Sequence, residues 1–167
     1  MAEIVGLVAS IIQIAGAGTK LSSALYNFTG SVVRADQDIQ DIAGDVSLTA
    51  NALESVGKVF ETEDAKSIVS EKAIQHASDI IKRCDEVFKD INKLIEKNKG
   101  KSTEDKKGLS VMSKLSWPLK EQRVELTRKR LERLKISLGL LLHVLQLAQG
   151  QARGFVFLKS GVEFDYC

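Results

Sequence analysis

A chain of 167 residues that is 44% apolar, with 12 glycines and one proline, is long enough to bury a real core as one domain. Two cysteines give no disulfide framework and read as reduced thiols of an intracellular protein, and the net charge is only +2. Aromatics are scarce at 5%, and Leu, Ile, Val and Ala carry the apolar content, which points to a bundle of helices.

The first predicted helix sets the problem. Ile4 to Gly18 carries no charge, with Ser10 and Gln13 its only polar side chains and Glu3 and Lys20 flanking it. Such a helix must be buried on most sides by its neighbours or enter a membrane. Gly16 and Gly18 predict a weak point or kink, after which the helix continues to Leu25 or Tyr26. As a resting membrane span the stretch is short, because Lys20 arrives early. A secretory signal is the alternative: Ala15-Gly-Ala17 suits cleavage, but no basic residue precedes the apolar run. Ala2 in place of glycine excludes myristoylation, and the last four residues form no prenyl box.

Asn27–Ser31 reads as a turn ending at Gly30. A second helix is expected from Ser31 to Phe60, with Val32, Ala35, Ile39, Ile42, Val46, Leu53 and Val56 on one face. Asp36, Asp38, Asp41 and Asp45 make its other side acidic. A third, from Ala65 to Lys97, carries an unbroken stripe through Ala77, Cys84, Ile91 and Ile95. At about 50 Å its length predicts an antiparallel partner for the second helix. Lys97–Lys107 has no apolar residue and reads as a loop. Leu109, Met112 and Leu115 suggest a short helix. Trp117-Pro118 then opens the last long helix, which the pattern ends at Gly150. Its second half, Ile136–Ala148, is apolar nearly all round and is the natural partner for residues 4–18. The bundle is therefore expected over 1–150. Residues 151–167 are expected to form an extended strap, or the start of a linker to a further domain of a larger protein.

Charge is uneven. Between Glu96 and Lys135 there are 13 Lys/Arg against 6 Asp/Glu, a surplus of +7 that leaves −5 for the rest. The basic run around Lys97, Lys99, Lys101, Arg128, Lys129, Arg130 and Arg133 has two readings. One is a solvated helix face with Glu125–Lys129 and Arg128–Glu132 pairs. The other is a patch for anionic lipid headgroups. No interleaved aromatics or reading helix point to nucleic acid.

No catalytic constellation assembles, so no enzyme, cofactor or metal is expected. His76 and His143 lack ligand-type neighbours. Ala15-Gly-Ala-Gly-Thr-Lys20 lacks the spacing and the preceding strand of a phosphate loop. The aspartates of the second helix lack the glycine turn of a calcium loop. Cys84, on an apolar helical face, reads as a buried structural thiol.

Three stretches resemble a known family. Met1-Ala-Glu3-Ile-Val-Gly6-Leu-Val-Ala9 opens a glycine-rich apolar helix. The second helix closes on a Leu53-x-x-Val56 stripe. Lys114-Leu-Ser-Trp117-Pro118-Leu precedes Leu131-x-x-Leu134-Lys135-x-x-Leu138. Together, over about residues 1–150, they resemble the HeLo-like N-terminal helical domain of fungal STAND (NLR-like) proteins, related to the HeLo cell-death domain. The resemblance implies a four-helix bundle acting as a non-enzymatic cytoplasmic effector. On oligomerisation it would be recruited to the plasma membrane, with a downstream NTPase and repeat domain as sensor. The membrane-directed residues it implies are Glu3, Ile4, Gly6, Leu7, Val8, Ile11, Ile12 and Ile14. Similar domains also head proteins in which they serve only as adaptors or self-association modules.

Overall fold

The computed structural model describes residues 2–29, 36–62, 69–99 and 121–160. Four helices make up almost all of them: α1 (Ala2–Thr29), α2 (Asp36–Glu61), α3 (Glu71–Lys99) and α4 (Glu121–Ser160). The described residues contain no strand, and the fold is an all-α four-helix bundle. The start expected for the second helix, most of the charged loop, the short helix at 109–115, Trp117-Pro118 and residues 161–167 lie outside the described residues.

Each helix buries one periodic stripe. In α1 it is Ile4, Leu7, Ile11, Ala15, Leu21 and Leu25; in α2 it is Ile39, Val46, Leu53, Val56 and Phe60. Ala77, Ile81, Cys84, Phe88, Ile91 and Ile95 follow in α3, then Val124, Leu131, Leu138 and Leu145 in α4. These form one continuous core. Burial pushes the Cys84 thiol up to about 12, so it stays protonated and inert at neutral pH.

The order around the bundle is α1–α2–α4–α3, with α1 against α2 the largest interface. Two expectations fail here. α2 and α3 match in length but lie across the diagonal and barely touch. The apolar segments 4–18 and 136–148 are not partners either, because α1 and α4 occupy the other diagonal. Length and apolarity do not choose neighbours. Small residues and charges do.

Between α1 and α2 the small residues act. A Cβ on Gly57 would stand 3.0 Å from Ile11 Cγ2, and one on Gly18 would stand 3.0 Å from the Ala50 Cβ and 2.6 Å from Phe88 Cε2. The missing side chains let α1 settle between α2 and α3. One turn on, the Ser22 hydroxyl donates to the Ala43 carbonyl at 2.8 Å, satisfying a buried polar group. With these contacts α1 runs as one unbroken helix through the glycines and reaches Thr29. Residues 27–29 are helical, not part of a turn.

Between α2 and α4 the charges act. Lys135 Nζ donates to Asp45 at 2.8 Å, and Arg128 lies 3.2 Å from Asp41 and 3.7 Å from Asp38. Gln149 donates to the Thr62 hydroxyl at 2.7 Å. Residue numbers rise together along both helices, so α2 and α4 run parallel.

Two helix ends also differ from expectation. α3 begins at Glu71, later than Ala65, because Ser70 caps it: the Ala73 amide donates to the Ser70 carbonyl at 2.9 Å and to its hydroxyl at 3.3 Å. α4 does not stop at Gly150 but continues to Ser160, so residues 151–160 are helical and not an extended strap. A glycine costs a helix interior only about 1 kcal/mol, and the flanking Leu-Ala-Gln and Gln-Ala-Arg are good helix formers.

Candidate functional site: the first helix and the basic face

α1 is covered on one face only. Among the residues singled out for membrane insertion, Ile4, Leu7 and Ile11 are buried, Val8 and Ile14 are half-buried, and Glu3, Gly6 and Ile12 are exposed. The caged helix expected from the sequence is therefore only half caged. The reason is the diagonal: α4 packs on α2 and α3 and forms no substantial interface with α1, which is covered by α2 and α3. The outer face runs through Val5, Ala9, Ile12, Gly16 and Ala17. Val5 is 67% exposed and Ile12 56%. Single exposed apolar residues are ordinary. An outer face with no charged group between Glu3 and Lys20 is less so. Glu3–Asn27, 25 residues, is long and apolar enough to cross a membrane, and only 33% of its apolar window is buried. Lys20 lies within this unbroken helix and does not shorten it. A bundle core helix meets the same test of length and composition.

The basic run divides. The Arg128–Glu132 pair expected along the helix is replaced by the pairs to Asp38 and Asp41 of α2. Lys129 does pair with Glu125, at 3.3 Å, and Arg130 pairs with Asp90 of α3, at 3.3 Å. Among the described residues Arg133 has no ion-pair partner and stands exposed. The side chains of Lys97 and Lys99, and all of Lys101, lie outside the described residues. Three of the four α4 cations proposed as a headgroup patch are thus committed to carboxylates of the bundle. The acidic side of α2 is the complement of Arg128 and Lys135.

Lys135 is held most closely. Its amine lies 2.8 Å from Asp45 and 2.7 Å from Glu132, and its pKa is raised chiefly by the hydrogen bond to Asp45, then by that to Glu132. A raised lysine pKa means that folding retains the proton. The stabilisation is whole below the ordinary value of 10.5 and fades as pH climbs through the higher folded value. Lys135→Met should therefore lose about 1–2 kcal/mol at neutral pH, as charged hydrogen bonds do. Urea unfolding should show that gap narrowing in strong alkali. A gap independent of pH would assign the loss to packing.

The pairing was readable but was missed. Asp38 and Asp45 are seven apart, as are Arg128 and Lys135, and equal spacing is what two parallel helices in register require. α4 also presents an apolar stripe that the sequence assigned to the core. Ile136, Leu140, Val144 and Leu147 are all more than half exposed, while Leu138 and Leu145 face inward. Among the described residues no three His, Cys, Asp or Glu side chains are grouped to hold a metal.

No family model, curated protein or solved structure matches the chain.

Proposed function

We propose that this chain is a non-enzymatic signalling domain of the HeLo-like kind, at the head of a fungal NLR-like protein. Its output is membrane targeting by α1 after copies assemble. The observation that carries the reading is the uncharged, solvent-facing side of α1, with Val5 and Ile12 more than half exposed. Val5 and Ile12 do nothing for the core, because no described element covers that side. The inner face supplies the restraint. Releasing Ile4, Leu7, Ile11, Leu21 and Leu25 into water costs on the order of 10 kcal/mol at 1.5–3 kcal/mol each. Release then requires a trigger, such as the gathering of copies by a downstream sensor. Lipid in place of water removes most of that penalty.

Val5→Asp with Ile12→Asp tests it, because neither side chain is in the core. Each aspartate at a membrane-buried position adds about 2.5–3.5 kcal/mol. Leakage of phosphatidylcholine–phosphatidylserine vesicles by the assembled protein should fall at least about a hundredfold, with the melting temperature unchanged. Equal leakage by the variant would rule out α1. The exposed α4 stripe favours a second reading, an adaptor that self-associates without touching lipid. That reading holds if no assembled state leaks vesicles and Leu140→Glu with Val144→Glu abolishes self-association in light scattering.

A further inference from the structure

The antiparallel pair α3 and α4 encloses an open groove of about 550 Å³, within the size range of small-molecule sites. Val87 and Leu134 line its apolar part, and five basic side chains face two acidic ones around it. Most of these charges are satisfied. Asp90 is held by Arg130 at 3.3 Å and by Lys93 at 3.9 Å, and Lys89 turns to Asp85 at 2.6 Å. Arg83 and Arg133 are different. Both line the groove, both are exposed, and among the described residues neither has an ion-pair partner. The Arg130–Asp90 contact fixes the register, which puts Arg83 level with Ser137 and Arg133 level with Val87, about one helical turn apart. Two guanidinium forks from opposite walls, with Ser137 also lining the groove, match the oxygens of neighbouring phosphates better than a single carboxylate. The remaining acid, Glu86, repels a lone anion, so two cations acting together are required.

We propose that this groove binds a ligand carrying two or more clustered phosphates, gripped by Arg83 and Arg133. The site needs no movement of α1 and stands apart from the membrane role given to that helix. The ligand is either a soluble polyphosphate compound or a phosphorylated lipid headgroup, and two probes separate them. Titration with inorganic tripolyphosphate uses no membrane. Flotation with phosphatidylcholine vesicles containing phosphatidylinositol bisphosphate presents the headgroup. Arg83→Gln with Arg133→Gln should weaken binding about tenfold or more. Lys58→Gln with Lys72→Gln, which removes the same charge from exposed sites away from the groove and outside α1, should leave it unchanged. Loss with both probes, or with vesicles alone, supports the site and, in the second case, names the lipid as its source. Equal weakening by the two double variants would reduce the effect to net charge and overturn the proposal. So would failure of the wild-type chain to bind either probe.

Discussion

Gly18→Val should destabilise the bundle by about 3 kcal/mol, at the upper end of overpacking effects. Gly16→Ala, two residues earlier, should stabilise it by about 0.5–1 kcal/mol. Both are glycines inside one helix, and helix propensity favours replacing both. The surroundings reverse the sign at one of them. Nothing stands within 4 Å of a Cβ placed on Gly16, whereas at Gly18 the added atom meets the Phe88 ring at 2.6 Å and 2.9 Å. Phe88 is itself only 4% exposed, so its ring cannot swing into water. The valine methyls would push α1 away from α2 and α3 together. Shortening the obstacle with Phe88→Leu in the Gly18→Val background should restore part of the loss, a coupling that two independent sites would not show. Chemical denaturation of the four proteins measures it. Additive effects would mean that the junction is looser than its geometry.

The helices themselves were legible because each keeps its apolar residues at three- and four-residue spacing for many turns. Ile39, Ile42, Val46, Leu53 and Val56, all named from spacing alone, are all buried. What spacing cannot encode is which element covers a stripe. Ile136–Ala148 reads as apolar all round, yet Leu138 and Leu145 face the core while Leu140 and Val144 face solvent. The same ambiguity concealed the bare side of α1. Neighbour choice depended on details that look like noise in one sequence: a glycine opposite an isoleucine, and acids and bases at a shared seven-residue interval. Arg83 was overlooked for a related reason. It lies far from the basic run in sequence, and only the α3–α4 pairing brings it beside Arg133.

Phe60→Ala should be the most damaging single truncation, at about 3–5 kcal/mol. Phe60 is 1% exposed and the largest of the fully buried side chains. Its position also ties the core to α1. Gly57 sits against Ile11, so the antiparallel register brings Phe60, one turn further along α2, to the opening turns of α1. Those turns hold Ile4 and Leu7, buried members of the α1 stripe at 8% and 7% exposure. Loss of the ring would open a cavity at the level of those turns. Global unfolding would hide that local consequence, so Phe60→Leu, a loss of about 1 kcal/mol, is the more informative partner. In that variant hydrogen exchange should quicken first in the amides of residues 4–14, while the centres of α3 and α4 keep their protection. Vesicle leakage should rise in step if α1 is the element that enters lipid. Faster exchange spread evenly over all four helices would show that α1 opens only with the whole bundle, and the release step would then have no separate existence.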